Sequence, residues 1–391
     1  MLLVRLNELA ADGNGLHPTI LEALTDMITE NALPAVREGG SVGTADLAAL
    51  ATTALVLSGE KSSGPAMPRT ASFVAGDALT FMSSNAAVLA DAALAIADID
   101  QLARSLMVVA AMGYIAVRGN PEAFSPAVEV ATPFPGAAWV CRTMRSLVDA
   151  DAVPARIQDP FGLRTLPQVH GALVDRLRFA EQVVVSMINA PSENPIVSAT
   201  LGVAHHGAFH ATYLVQSLDA LVLAMAQSAQ LSMARLTMLA EPTYTGQHPF
   251  LGDGTPAASG VMILEYSAAS ALAELRALAT PAGIQVVNLS RGVEEDASFA
   301  TLAARQALEA VTHFRAVLAA ELVASLRCLR LQEARPHALR GALDYLDERD
   351  GGFSEMSDRD LTSELLLAED LIVALPDHVA AVQRAGESST T

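Results

Sequence analysis

Glu294 and Glu295, in Gly292-Val293-Glu294-Glu295-Asp296, form a pair of neighbouring carboxylates suited to proton transfer. Beside a partly buried pocket such a pair can act as general acid or base; an acidic helix start, favoured by the macrodipole, is the plainer alternative. Arg164 closes the run Gln158-Asp159-Pro160-Phe161-Gly162-Leu163-Arg164. Its planar guanidinium matches a carboxylate in bidentate fashion, so a small acid is a sensible ligand, with an internal salt bridge as the alternative. Gln158 can orient a polar group of that ligand or simply bond to backbone. His205, His206 and His210 raise the question of a metal, because residues four apart on a helix share a face. The stretch begins in a loop and brings no acidic or cysteine third ligand, so no metal site is expected. His210 reads instead as a hydrogen-bonding residue of a pocket.

A second kind of signal comes from Gly39-Gly40-Ser41-Val42-Gly43-Thr44-Ala45-Asp46. Small residues lead through a tight turn to Asp46, a good helix cap, and Leu47 to Leu57 follows with helical spacing. Strained loops that feed a helix N-terminus often hold catalytic groups. This stretch resembles the histidine/phenylalanine ammonia-lyase family, whose fingerprint runs Gly-Ser-Val-Gly, then Ala-Ser-Gly, then Asp-Leu-Ala-Pro-Leu. In that family the Ala-Ser-Gly triplet cyclises and loses water to give MIO, a built-in electrophile. That chemistry needs a hydroxyl that can leave and a following glycine whose nitrogen reaches back to a carbonyl. Here Thr44-Ala45 stands for the triplet, one residue short, and Asp46 follows where glycine is needed. No MIO, and no other cofactor, is expected. Ala258-Ser259-Gly260 copies the triplet and Ser62-Ser63-Gly64 nearly does, but both lack the glycine-rich lead-in and read as turns or caps.

The resemblance extends through the Gln158 to Arg164 motif and through Asn189-Ala190-Pro191-Ser192-Glu193-Asn194-Pro195, which is similar to the family's Asp-Asn-Pro turn. It implies that Arg164 pairs with a substrate carboxylate, that Gln158 is an active-site amide and that Glu295 acts on the substrate, with Glu294 replacing a glutamine. Phe209 and His210 match a family pair. Other family groups are replaced: Phe161 stands for a catalytic tyrosine, Met82 for an asparagine that supports MIO, and Ala208 for another asparagine. Asn85 takes the Met82 role only if the register shifts. The chain's first residues match a point well inside family members, so an N-terminal lobe with a second catalytic tyrosine is expected to be missing. An all-α fold is implied, a long-helix bundle of the aromatic amino acid lyase and fumarase-like type. So is a homotetramer whose active sites each draw on three subunits.

The elements that must position these residues are legible from periodicity. Helices are expected over Pro18 to Thr29, Leu47 to Leu57, Gly171 to Ile188, Tyr213 to Met238, Val261 to Thr280 and Ala300 to about Gln332. Gly76 to Val117 predicts one or two more, and the Pro-dense span Asn120 to Pro135 predicts loop. In 391 residues, 51% are hydrophobic and only 4% aromatic, a balance that favours close-packed helices. The whole chain, 1–391, reads as a single helical domain. A net charge of −19 argues against nucleic acid or anionic membrane as partner. Cys141 and Cys328 read as free buried thiols, and no leader and no uninterrupted apolar span of membrane length is expected, so a cytoplasmic setting is expected. Two functions remain open: an enzyme repurposed to acid/base chemistry on a small carboxylate-bearing or aromatic substrate, or a half-site subunit completed by a separate chain carrying the missing lobe.

Overall fold

The computed structural model describes residues 1–11, 13–62, 69–149 and 152–382. The chain opens with α1 (Leu2–Ala10), α2 (Pro18–Thr29), α3 (Leu47–Leu57), α4 (Asp77–Met82) and the long α5 (Ala86–Ala116). Next come α6 (Pro126–Ala131), α7 (Pro135–Leu147), the single-turn α8 (Phe161–Arg164) and α9 (Leu166–Ile188). A hairpin of β1 (Ile196–Ser198) and β2 (Gly202–Ala204), antiparallel with Val197 opposite Val203, interrupts the helices. Then follow α10 (Thr212–Ala240), α11 (Pro242–Thr245), α12 (Met262–Leu278), α13 (Ala300–Leu331), α14 (Arg340–Asp347) and α15 (Thr362–Leu371). The protein is all-α apart from that hairpin.

Contacts group the chain into two compact units. One comprises Met1–Ile96, Phe179–Ala220 and Pro281–Leu308; the other comprises Ala97–Arg178, Leu221–Thr280 and Glu309–Thr391. In the first unit α2 buries Ile20, Ala23, Leu24 and Met27, one face at helical spacing, against Leu9, Val56, Leu57 and Phe81. Pro18 at its first position costs no hydrogen bond, and the His17 ring accepts from the Thr19 amide at 3.3 Å to cap it. In the second unit α7 and α9 touch backbone to backbone. A Cβ on Gly136 would lie 2.1 Å from the Gly171 carbonyl oxygen, and one on Gly171 would lie 2.5 Å from the Ala137 nitrogen. Only glycine permits that approach.

One sequence expectation is overturned and two are sharpened. The Pro-dense span 120–135 is not loop: a 3-10 turn (Pro121–Phe124) and α6 start on its prolines, because proline is preset for a first helical position. The stretch Asp77–Ala116 reaches mean hydropathy 1.5 over its best window, but Asp91, Asp98, Asp100 and Arg104 interrupt it and 56% of that window is buried in the protein, as in a core helix. His205 and His206 lie in coil after β2 rather than on a helix, so helical spacing does not relate them to His210. Cys141 and Cys328 are free and buried, with burial pushing the Cys328 thiol up to about 12. The Ala258-Ser259-Gly260 triplet is a turn ahead of α12 whose Ser259 and Gly260 amides both donate to Asp358 at 2.6 Å. Ser63 and Gly64 of the other copy lie outside the described residues, as do Asp12 and the Ser/Thr-rich tail.

Candidate functional site

In the first unit the glycine-rich loop is gripped from several directions. Thr44 bridges to His210, the Phe299 amide donates to the Val42 carbonyl at 2.7 Å, and the Ser298 hydroxyl donates to the Gly43 carbonyl at 2.8 Å. A side chain on Gly43, at φ 82°, would meet Ser298 Oγ at 2.1 Å, so this close approach requires glycine. Ala45 is held at φ 88°, a backbone region costly for any residue with a Cβ. Its amide donates to Asn85 Oδ1 at 3.2 Å, while Asn85 Nδ2 donates to the Phe209 carbonyl at 2.5 Å. Asn85 is therefore the amide that braces the loop. Met82, at the end of α4, is not among the side chains that line the cavity there.

Asp46 sits at the N-cap position of α3 but makes no cap bond to it. Its carboxylate instead accepts from the amides of Ala87 and Val88 at 2.8 and 2.9 Å, capping α5. Burial raises its pKa, against the stabilising bonds from Val88, Ser41 and Ala87. The loop forms one wall of a cavity of about 440 Å³ lined by Thr44, Ala45, Phe209, His210, Glu294, Glu295 and Asp296. Asn194 and Ser83, which sequence reasoning did not single out as site residues, also line it. His210 Nδ1 pairs with the Thr212 hydroxyl at 2.6 Å, and Nε2 lies 3.4 Å from Asp296 Oδ2, buried and without a hydrogen bond. Glu294, Glu295 and Asp296 are exposed in an irregular segment six and fewer residues ahead of α13, with Leu289 bridging to Glu294 and the Ser290 hydroxyl donating to Glu294. The two carboxylates are themselves exposed but line the cavity from an irregular segment, and the acidic helix start is not found, because Ala300 begins the helix.

In the second unit Gln158 and Arg164 line a cavity of about 620 Å³ with Asn120, Asp159 and Gln168. Asp159 organises the motif. It accepts from the Asn120 amide at 2.5 Å and from Arg156 Nε at 2.9 Å, while Asn120 Nδ2 donates to the Ile157 carbonyl at 2.9 Å. The Arg164 guanidinium lies 4.5 Å over the Phe161 ring. Its Nε is buried without a hydrogen-bond partner, and among the described residues Arg164 makes no ion pair. Phe161 is 64% exposed and supports the guanidinium from below instead of lining the cavity. Gln158 is exposed at the cavity edge. The internal salt bridge that would explain Arg164 structurally is absent among these residues. Beneath the motif, Arg235 donates to the Gly162 carbonyl at 3.2 Å and clasps Glu321 through Nε and Nη2 at 2.5 and 2.8 Å. No periodicity in the sequence announces that buried pair.

Residues 1–348 match the sequence profile of the aromatic amino acid lyases. The chain belongs to that family. It is 33% identical over 354 residues to histidine ammonia-lyase of Gloeobacter violaceus, covering 85% of this chain and 69% of that protein. Histidine ammonia-lyase of Treponema denticola is 33% identical over 349 residues, 84% and 69% of the two chains. Among solved structures, the histidine ammonia-lyase of Trypanosoma cruzi superposes with a TM-score of 0.87 at 22% identity, over 100% of this chain and 80% of that one. Tyrosine aminomutase of Streptomyces globisporus gives 0.87 at 23%, over 100% and 82%. These structures share the helical fold.

The residues of this member do not fit the family's MIO group. The position that must lose a hydroxyl is Ala45, a bare methyl, and the nitrogen that must close the ring belongs to Asp46. That amide is committed to the Ser84 carbonyl at 2.7 Å, and its side chain is committed to α5.

Proposed function

We propose that this lyase-family protein works without MIO and performs acid/base chemistry on a small carboxylate-bearing or aromatic substrate. The observation that carries the reading is the His210 imidazole: its Nδ1 is fixed by Thr212, and its buried Nε2 lies 3.4 Å from Asp296 in a cavity that Glu295 also lines. An imidazole fixed through one nitrogen, with carboxylates beside the other, is equipped to move a proton at a substrate carbon. Arg164, stacked on Phe161 with an unpartnered Nε, supplies a carboxylate anchor. Elimination, the reverse addition, isomerisation and cyclisation all begin or end with such a proton transfer. Relatives named histidine ammonia-lyase favour elimination among these reactions. A cytoplasmic setting accords with the free buried thiols.

The test is solvent isotope exchange. Aromatic amino acids and their arylacrylates are incubated with the protein in heavy water, and deuterium gain at the α and β carbons is followed by mass spectrometry. Exchange is expected with at least one acid, falling about 100- to 10,000-fold in Glu295→Gln and His210→Gln. Arg164→Ala should chiefly raise the substrate concentration needed, by about 2 to 5 kcal/mol of lost binding. No exchange with any acid, or full exchange in Glu295→Gln, would overturn the assignment. The half-site alternative predicts that the isolated chain is inert and that a second polypeptide restores activity.

A further inference from the structure

A buried ionic cluster lies beside the first-unit cavity and takes no part in the chemistry described so far. Arg5 of α1 is fully buried. Its Nη1 lies 2.9 Å from Glu8 Oε2 and 2.9 Å from Glu193 Oε1, so one guanidinium faces two carboxylates. Both carboxylates are buried to within 1% of their side-chain surface. The remaining Arg5 nitrogens donate to the backbone of α4: Nε to the Phe81 carbonyl at 3.0 Å, Nη2 to the Thr80 carbonyl at 2.8 Å. Ser84 donates its hydroxyl to Glu8, and its own carbonyl receives the Asp46 amide of the glycine-rich loop. Glu193 directly precedes Asn194, which lines the cavity and accepts from the His206 amide at 3.0 Å. The cluster thus ties α1 to two of the segments that line the cavity, through Ser83 and Asn194.

Charge balance makes this arrangement unusual. With both carboxylates ionised the buried group carries an excess negative charge, and uncompensated buried charge is expensive. Glu8 Oε1 and both Glu193 oxygens lack hydrogen-bond partners, so the cluster has room for a proton on Glu8. The groups acting on Glu8 are few. Arg5 on its own helix and Glu193 from the opposing turn are the charged ones, and the 80–85 segment contributes the Ser84 hydroxyl. We propose that Arg5, Glu8 and Glu193 form a proton-holding positioning cluster, which keeps the Thr80–Asn85 and Glu193–Asn194 segments against the cavity only while one carboxyl is protonated. Burial, aided by the Glu193 charge and opposed by Arg5 and Ser84, raises Glu8 from 4.5 to about 7. Because the native value lies above the unfolded one, the cluster's contribution is complete below the ordinary glutamate range and is lost as pH rises through about 7.

The readout is hydrogen exchange of the whole protein by mass spectrometry, corrected for the intrinsic pH dependence of exchange. It needs no substrate, so the outcome does not depend on whether the cavity is catalytic. In the parent, opening of peptides spanning 79–86 and 190–195 should rise by about tenfold per pH unit from about pH 4.5 to about 7 and then level off. Glu8→Gln removes one charge and keeps the shape, so its exchange should be flat across that window. Glu193→Gln should flatten it equally and serves if the first variant does not fold. The double variant leaves the guanidinium unpaired and should open at every pH. A merely structural cluster would lose protection in each single variant without changing the pH slope. A flat parent, or a single variant that keeps the parent's slope, overturns the proposal.

Discussion

Ala45 occupies the centre of the family's reactive loop with φ 88° and a methyl group for a side chain. Left-handed backbone costs a residue with a Cβ roughly 1–2 kcal/mol, and here the surroundings over-determine it through Asn85, Ser84 and His210. The loop is held in this geometry although Thr44 and Ala45 stand where the resembling family has Ala-Ser-Gly. Intact mass spectrometry should therefore return the encoded mass, and loss of water mapped to residues 41–46 would reverse that conclusion. Asn85 illustrates how a residue's role depends on distances that a sequence does not carry. Read by motif position, Met82 held the supporting place; three residues later Asn85 reaches across to both Ala45 and Phe209. Glu294 and Glu295 were legible as candidates because adjacent carboxylates stand out, whereas Asp296 was not. Its relevance comes from a 3.4 Å approach to His210, 86 positions earlier in the chain.

At the scale of elements, sequence reasoning succeeded where one physical rule acted alone. Pro18–Thr29 and Leu47–Leu57 match their expected bounds because a single apolar face and a clear start signal define each. It failed where a partner distant in sequence decides. Asp46 looked like the cap of the helix it precedes but caps α5, 40 residues on, and the β1–β2 hairpin has too few residues for a pattern of two to show. Buried polar contacts follow the same logic. His170 of α9 is fully buried, with Nδ1 2.9 Å from the Ser228 hydroxyl of α10 and Nε2 2.9 Å from the Ala103 carbonyl of α5. Burial lowers its pKa from 6.5 to about 4. The unfolded chain takes up this proton below about 6.5 while the native imidazole refuses it until about 4, so stability should fall with falling pH across that window. Thermal melts of the parent and His170→Gln compared from pH 4 to 7 should show the variant losing this dependence, amounting to about one proton bound on unfolding. Parallel curves would mean that the imidazole titrates no differently when folded.

At the scale of the whole molecule, each candidate anchor or proton-handling group lines a cavity of its own unit: Arg164 and Gln158 in one, His210 and Glu295 in the other. The long helices also leave large apolar side chains in water, among them Tyr213 at 76%, Tyr266 at 65% and Leu94 at 62% exposure. Side chains of this size on long helices are readily covered by another copy of the same chain. We propose a tetramer in which Arg164 of one subunit serves Glu295 of another, and light scattering at micromolar concentration should return four subunits. Subunit mixing then tests function directly. Arg164→Ala and Glu295→Gln are each expected to be impaired in the isotope-exchange assay, one through binding and one through turnover. Dissociated together and reassembled, they should regain activity, because some sites then combine an intact Arg164 with an intact Glu295 from different chains. A site built within one chain gives no such rescue: every copy lacks one of the two groups, and the mixture stays as impaired as its components.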